Sequence, residues 1–111
     1  MKKKDKLQEA LFEKRPLIVR ALRGSEIRKK IAEYLFDIHP SYSYTSEIAY
    51  RVKTTPTNAI GALRGMVTRY KEEDSLLKLK IVEEKSCDNK IRLYGLTPFG
   101  KEVMKSLYDR K

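Results

Sequence analysis

Apolar residues recur every three or four positions along most of the chain, which is the spacing of helices that bury one face. The clearest stretch is SEIRKKIAEYLFDIH, with apolar positions at Ile27, Ile31, Leu35 and Ile38. Ser25 begins this stretch as a favoured N-cap residue, and Pro40 follows it and disfavours further helix. The pattern predicts a helix over about 25–39.

Two further helical stretches are separated by the turn KTTP, and the short β-prone stretch SYSY precedes the first. Thr45 is the predicted N-cap of the first stretch, SEIAYRV. Thr55 is the predicted cap of the second, with Pro56 at the first helical position, where a missing N–H removes no hydrogen bond. We expect the second helix to run over about 56–71.

Apolar and polar residues alternate in LLKLKIVEEK, as expected of a half-buried strand. The turn SCDN separates it from a second strand, KIRLYGL. The two strands form a predicted hairpin, or wing, over about 77–96. The side chains predicted to face inward in the first strand are Leu77, Leu79 and Ile81. In the second strand, Ile91, Leu93 and Gly95 are predicted to lie on one face.

The ends of the chain add two segments to the domain predicted over 25–96. Residues 1–24 begin with the basic tract MKKKDK and continue with a short amphipathic helix and a second apolar turn, PLIVRALR. Residues 97–111 form a predicted C-terminal helix, with Phe99, Val103 or Met104, and Leu107 on one side. The expected fold class is therefore α+β, mainly α with a small β-hairpin.

The order helix, short strand, helix, turn, helix, hairpin, helix resembles the winged helix-turn-helix DNA-binding superfamily, in particular its small archaeal and bacterial transcriptional regulators. The residues that carry the resemblance are YTSEIAYRVKTTPTNAIGALRGMV, LKIVEEKSCDNKIRLYGL and, above all, RLYGLTPFGKEVM with its Leu-Thr-x-x-Gly ending. The resemblance covers about 25–107. It implies that the 56–71 helix enters the major groove as a recognition helix and that the wing contacts the DNA backbone.

The net charge of +10 favours a polyanionic partner, with nucleic acid first and an anionic membrane surface second. The alternative is a charged surface that serves solubility or heat adaptation. Residues 1–24 alone carry eight basic and three acidic groups, a net +5. The MKKKDK tract is therefore either an arm that embraces a duplex or a solvated terminus.

The helix over 57–70 has a predicted core face, made of Ile60, Leu63, Val67 and Tyr70 with Ala59 and Met66 at its edge. The opposite, exposed face holds Thr57, Asn58, Gly61, Arg64, Gly65 and Thr68. Each glycine inside a helix costs about 1 kcal/mol relative to alanine. We expect the glycines to admit the groove wall while Arg64 and Asn58 reach base edges. The alternatives are close packing of another helix and a tolerated weakness. The candidate base contacts are Thr57, Asn58, Gly61, Arg64 and Thr68.

Phosphate contacts are expected beside this helix and on the wing. Hydroxyl groups at helix N-termini suit phosphate oxygens, because unpaired N–H groups face outward there. Cations of the wing are expected to reach the DNA backbone, although Glu83, Glu84 and Asp88 dilute their charge. The alternatives are threonines that only cap helices and a wing that is only solvated. The candidate backbone contacts are Tyr44, Thr45, Ser46, Lys53, Thr55, Lys85, Lys90 and Arg92.

Chemistry other than binding finds no support in the sequence. With His39 and Cys87 as the sole histidine and cysteine, the chain has neither an internal disulfide nor the ligand spacing of a metal site. No glycine-rich phosphate loop or nucleophile elbow occurs. We expect no cofactor, no metal and no catalysis. The charged N-terminus lacks the apolar core of a signal peptide, so a cytoplasmic location is expected.

The leading hypothesis is a sequence-specific, double-stranded DNA-binding transcription regulator. A homodimer is expected, because residues 5–23 and 98–110 contain more apolar groups than one terminal arm needs, and winged-helix regulators commonly dimerise through terminal helices. Two recognition helices would then lie about one DNA turn apart. The rivals are a protein-interaction winged helix of transcription or RNA machinery and a nonspecific architectural DNA-binding protein.

Overall fold

The computed structural model describes residues 15–65, 74–87 and 91–108. Within these ranges lie five helices and three strands, which confirms the α+β class. The helices are α1 over 15–23, α2 Glu26–Ile38, α3 Thr45–Val52, α4 Pro56–Arg64 and α5 Pro98–Tyr108, and the strands are β1 Ser43–Tyr44, β2 Val82–Cys87 and β3 Ile91–Leu96. The predictions for MKKKDK, Met66, Val67, Thr68, Tyr70 and Lys90 fall outside the described residues.

Helix α2 lies at the centre of the core and packs against α3, α4, α5 and β3. Its N-cap is Ser25, whose Oγ accepts a hydrogen bond from the Arg28 amide at 3.2 Å. The predicted cap and the predicted stop before Pro40 are therefore confirmed. The fully buried side chains on its inner face are Ile31, Ala32 and Leu35.

The three strands form an antiparallel sheet in the order β1-β3-β2. Tyr94 and Leu96 of β3 are buried at 1% and 4% exposure, whereas Ile91 is 51% exposed. The core face of β3 is therefore the one that carries Tyr94 and Leu96, and not the face that Ile91, Leu93 and Gly95 share. Apolar spacing alone does not indicate this, because the Tyr94 ring fills the core while its hydroxyl group reaches the carboxylate of Glu84, 2.8 Å away.

The predicted strand over 77–81 is wrong as well, because β2 begins only at Val82. The backbone of this segment makes other hydrogen bonds: the amides of Leu76 and Leu77 donate to the carbonyls of Ala62 and Leu63 at the end of α4, at 3.1 and 3.0 Å. The segment therefore closes the end of a helix instead of joining a sheet. Its apolar residues still reach the core, in which Leu76, Leu79 and Ile81 are buried.

The junction between β3 and α5 is held by Thr97 and Gly100. The Thr97 hydroxyl donates to the Lys80 carbonyl at 2.6 Å and accepts from the Gly100 amide at 2.8 Å. A Cβ added at Gly100 would collide with the carbonyl oxygen of Ile81. The Leu-Thr-x-x-Gly pattern thus has a packing role, since it lets α5 rest directly on the backbone at the base of the hairpin.

Several apolar residues of α1 and α5 pack in the core of the same chain. Phe99, Val103 and Met104 of α5 are buried, as predicted for this helix face, and so are Ile18 and Leu22 of α1. Among the described residues, part of the apolar surplus on which the expected homodimer rests is therefore used inside the monomer, whereas Leu17 of α1 is 47% exposed. None of the helices in the described ranges is long and apolar enough to cross a membrane.

Candidate nucleic-acid interface

Helix α4 is shorter than the sequence pattern predicts. It ends at Arg64, and Gly65 follows with φ 95°, a backbone conformation that favours glycine. The Gly65 amide donates to the Gly61 carbonyl at 2.8 Å. Gly65 therefore terminates the helix and does not weaken its interior, which removes the reason to assign it to a groove wall.

The faces of α4 are also rotated relative to the prediction. Ala59, Ala62 and Leu63 have no exposed surface, Gly61 is buried, and Ile60 is 40% exposed. The assignments of Gly61 to the exposed face and of Ile60 to the core face are therefore wrong. The sequence pattern predicts one continuous helix over 57–70, whereas α4 has nine residues and packs against both α2 and α3. The burial of Gly61 agrees with the alternative of close packing considered above.

The first turn of α4 is tied to the turn before it. Thr55 Oγ1 accepts a hydrogen bond from the Asn58 amide at 3.1 Å, which confirms the predicted cap. The Asn58 side chain is half-buried, and its Nδ2 donates to Thr54 Oγ1 at 3.1 Å. This bond occupies a donor of the Asn58 side-chain amide, which was expected to contact a base edge. Thr57, by contrast, is exposed at the same end of the helix.

The turn between α3 and α4 is closed by Lys53, which has φ 60° and ψ 54°. A left-handed conformation costs a non-glycine residue roughly 1–2 kcal/mol, so glycine is the usual residue here. The lysine places an exposed cation at the turn. Thr45 is not the N-cap of α3, because Tyr44 holds that position and makes no side-chain cap bond. Tyr44 and Ser46 are exposed beside it.

The end of α4 meets the hairpin at a small charged cluster around one oxygen of Glu84, its Oε2. The Tyr94 hydroxyl donates to this oxygen at 2.8 Å and Arg92 Nη1 donates to it at 3.3 Å. Arg64 Nε lies 4.0 Å from it. The helix cation and the wing cation predicted to contact DNA therefore converge on one carboxylate, which we call the Glu84 cluster: Arg64, Glu84, Arg92 and Tyr94.

The pKa values of two groups in the Glu84 cluster, Glu84 and Tyr94, differ from their ordinary values. Partial burial alone would raise the pKa of Glu84, but the hydrogen bonds from Tyr94 and Arg92 and the charge of Arg64 outweigh it and lower that pKa. Burial, reinforced by the bond to Glu84, raises the pKa of Tyr94 to about 12. Glu84 is thus held as a carboxylate and Tyr94 as a neutral phenol.

The other described cation of the wing lies on the opposite face of the sheet. Lys85 pairs with Leu93, next to the Glu84–Tyr94 pair in the strand register, so its side chain points to the other face. The Lys85 Nζ lies 4.3 Å from the centre of the Tyr42 ring. The Tyr42 hydroxyl donates to Glu83, and this bond raises the pKa of Tyr42 to about 12. Of the predicted wing contacts among the described residues, only Arg92 is brought together with Arg64.

Three residues of this surface were not among the predicted contacts. The sequence indicates Glu84 only as a residue that dilutes positive charge, and its apolar spacing predicts Ile60 in the core. Tyr50 of α3 is 74% exposed and lies next to Arg51, whose guanidinium is 5.8 Å from its ring centre. The periodicity of α3 contained this signal, because Tyr50 lies between the buried Ala49 and Val52, off the stripe that begins at Ile48.

A second basic surface lies away from α4, in a groove where α1, α2 and α5 meet. Arg15 Nη1 donates to Ser106 Oγ at 2.6 Å across it. Its lining residues are Arg15, Val19, Leu22, Arg23, Glu26, Lys29 and Leu107. Within the described part of the chain, no group of three or more histidine, cysteine, aspartate or glutamate residues is placed to hold a metal ion.

Comparison with known proteins identifies the family. The chain belongs to the EarA-like family, whose model matches residues 18–107. An uncharacterised protein of the archaeon Methanocaldococcus jannaschii is 39% identical over 97 residues, which cover 86% of this chain and 85% of that protein. No solved structure matches this chain. The family match spans most of α1, all of α2, α3 and α4, the hairpin, and all of α5 except its last residue.

Proposed function

We propose that this protein is a sequence-specific, double-stranded DNA-binding transcription regulator with a winged helix-turn-helix fold. In this proposal α3 and α4 are the helix-turn-helix, α4 enters the major groove, and the β2–β3 hairpin is the wing that contacts the backbone. The observation that carries the proposal is the convergence of Arg64 and Arg92 on Glu84. It gives the helix and the hairpin one continuous charged edge.

The exposed side chains of α4 suit a groove in which bases are read. Thr57, Ile60 and Arg64 are spaced by three and four residues, so they follow one side of the helix. Arginine pairs well with guanine edges, and an apolar side chain contacts thymine methyl groups. In this proposal Arg64 is the principal base contact, whereas Gly61 has no direct role because it is buried.

Backbone contacts are proposed for the exposed groups that flank α4. Lys53 lies in the turn before the helix, and Arg92 lies on the wing beyond its other end. Ser46 and Tyr44 are exposed at the start of α3. The net charge of +10 supports such contacts, since phosphate neutralisation supplies most nonspecific affinity. These contacts would fix the register of α4 on the duplex.

A protein-docking module is the second candidate function, and a specific observation favours it. Large apolar or aromatic side chains are exposed outside α4, namely Tyr50 at 74%, Ile91 at 51%, Tyr44 at 48% and Leu17 at 47%. Aromatic residues are enriched at protein interfaces. If this candidate held, changes on α4 would leave DNA binding unaffected, which the following experiment measures.

The test begins with selection of a binding site from random duplexes by the full-length protein. Fluorescence anisotropy then compares the selected duplex with a scrambled one at physiological salt. Specific binding is expected to exceed nonspecific binding by at least about 10³-fold. Arg64→Ala is expected to weaken binding to the selected duplex by roughly 30-fold, about 2 kcal/mol, because one base contact is lost.

The matched control is Arg20→Ala, because Arg20 is also a solvent-exposed arginine in a single ion pair, with Asp74 at 3.1 Å, but lies on α1. It is expected to change affinity for either duplex by less than about threefold, as an exposed ion pair contributes little. Failure to select any site, or equal losses in the two arginine variants, would contradict the proposal. The homodimer stays a prediction, and sedimentation of the DNA complex measures how many protein chains it contains.

A further inference from the structure

The Glu84 carboxylate occupies the position between the two arginines that the proposed function assigns to DNA. Its Oε2 is 3.3 Å from Arg92 Nη1 and 4.0 Å from Arg64 Nε. The two guanidinium groups are not closed off from solvent, since the arginine side chains are 45% and 50% exposed. A DNA phosphate that approached either arginine would therefore meet a negative charge already in place.

Tyr94 anchors the Glu84 carboxylate from the core side of the sheet. Its ring is 1% exposed in the core, and its hydroxyl donates to Glu84 Oε2 at 2.8 Å. The carboxylate is thus anchored through a buried side chain, while the arginines are half-exposed and free to change partners. Glu84 also lies directly across from Tyr94 in the strand register, so the backbone places the two side chains together.

The anchored carboxylate affects two modes of DNA binding unequally. Nonspecific binding depends almost entirely on phosphate neutralisation, and Glu84 reduces the charge of this edge from two positive groups to a net of one. Specific binding also gains from hydrogen bonds to base edges, which replace the contact that Arg64 makes with Glu84. The carboxylate therefore weakens wrong complexes more than the right one, because like charges brought together oppose binding.

We propose that Glu84 is a specificity-determining residue: it holds Arg64 and Arg92 in the free protein and disfavours DNA complexes that rely on phosphate contacts alone. This inference rests on the proposed function, in which α4 and the wing bind one duplex. Tyr94 is the positioning residue of this device, acting through the carboxylate that it anchors.

The test measures binding of the full chain to the selected and scrambled duplexes across a salt series. Glu84→Gln keeps the shape of the side chain and still accepts the Tyr94 hydrogen bond. It is expected to tighten binding to the scrambled duplex by roughly tenfold. The slope of log affinity against log salt should steepen by about 0.9, corresponding to one more phosphate neutralised. Affinity for the selected duplex is expected to change by less than about threefold, so the specificity ratio falls.

Glu83→Gln is the matched control, because it makes the same change of net charge on the neighbouring residue. Glu83 accepts its bond from Tyr42 on the other face of the sheet. It is expected to leave the specificity ratio within about twofold of the original protein. Tyr94→Phe is a second variant, which retains the Glu84 carboxylate but removes the hydrogen bond that anchors it. It is expected to lower the specificity ratio by a smaller factor, about threefold.

The outcomes separate the inference from the proposed function. If the unaltered protein prefers its selected duplex but Glu84→Gln leaves the ratio and the salt slope unchanged, the inference about Glu84 is overturned and the proposed function stands. Equal tightening by Glu83→Gln and Glu84→Gln would also overturn it, since the effect would then be one of net charge. Absence of any preference in the unaltered protein would overturn both.

Discussion

The base of the β2–β3 hairpin and its charged edge are built from different kinds of contact, although they share the same two strands. At the base, Thr97 and Gly100 contact backbone groups of residues 80 and 81, with no space for another atom. At the edge, Arg64 and Arg92 contact a carboxylate while remaining half-exposed. Only the edge has side chains able to exchange one partner for another, which is what a binding surface requires.

This difference separates residues that maintain the fold from residues that are candidates for recognition. The Leu-Thr-x-x-Gly pattern carries much of the resemblance to winged-helix regulators, yet its described contacts are internal. The edge has no such pattern in the sequence. A family resemblance carried by the base therefore supports the fold more directly than it supports any particular DNA contact.

The largest effect is expected at the base, from Gly100→Ala. A methyl group there meets the Ile81 carbonyl, and a backbone carbonyl has little freedom to move aside. We expect the free energy of unfolding to fall by about 3 kcal/mol, at the upper end of the usual range for overpacking. Urea denaturation followed by circular dichroism measures this change.

Gly95→Ala is the matched control for this prediction. Its added Cβ would lie 2.8 Å from an atom of the Tyr42 ring, which belongs to a side chain on the outer face of the sheet and is displaced more readily than a backbone carbonyl. The expected loss is about 1 kcal/mol or less. Equal losses of unfolding free energy in Gly100→Ala and Gly95→Ala would contradict this prediction. They would show that contact with the rigid Ile81 carbonyl does not make the base less tolerant than the rest of the hairpin.

A smaller effect is expected at the edge in alkaline solution. The pKa of Tyr94 is raised from its ordinary value of 10.0 to about 12, so the folded state retains the phenol proton more strongly than the unfolded chain. The stabilisation is fully present below about pH 10 and is lost as the pH rises toward about 12. Tyr94→Phe should therefore show a shallower fall in unfolding free energy over that interval.

Urea denaturation at a series of pH values checks this prediction, and Tyr42→Phe serves for comparison. The pKa of Tyr42 is also raised to about 12, but through its bond to Glu83 on the outer face of the sheet. Each substitution should remove only the decrease in unfolding free energy that its own tyrosine causes at alkaline pH. The two contributions should add, because the two hydroxyl groups bind different carboxylates. A Tyr94→Phe curve parallel to that of the unaltered protein would contradict the role assigned to the buried hydroxyl group.

Local signals predicted much of the fold. Ser25 and Thr55 act as helix caps within three residues of their partners, and the order of elements followed from apolar spacing. Predictions failed where a distant contact decided the outcome. The 77–81 alternation indicated a strand, but the amides of Leu76 and Leu77 bind the end of α4. The length of α4 was overestimated because apolar spacing continued past Gly65.

The candidate site was harder to predict for the same reason. Arg64 and Arg92 were singled out by charge and position, but their common partner Glu84 belongs to a different strand and acquires its role only through tertiary contacts. Tyr94 carries an apolar ring and a polar tip, so alternation alone did not identify it as a core residue of β3. Periodicity identifies which residues are buried more reliably than it identifies which exposed groups converge.

The central claim is that α4 and the wing edge form one DNA-binding surface while the base is structural. Amide chemical-shift mapping of the isotope-labelled full chain, titrated with the selected duplex, tests it most directly. The account predicts the largest shifts at Thr57, Ile60 and Arg64 and at Glu84 and Arg92, with small shifts from Thr97 to Gly100. The largest shifts in the groove lined by Arg15, Arg23 and Lys29, with α4 unchanged, would contradict it.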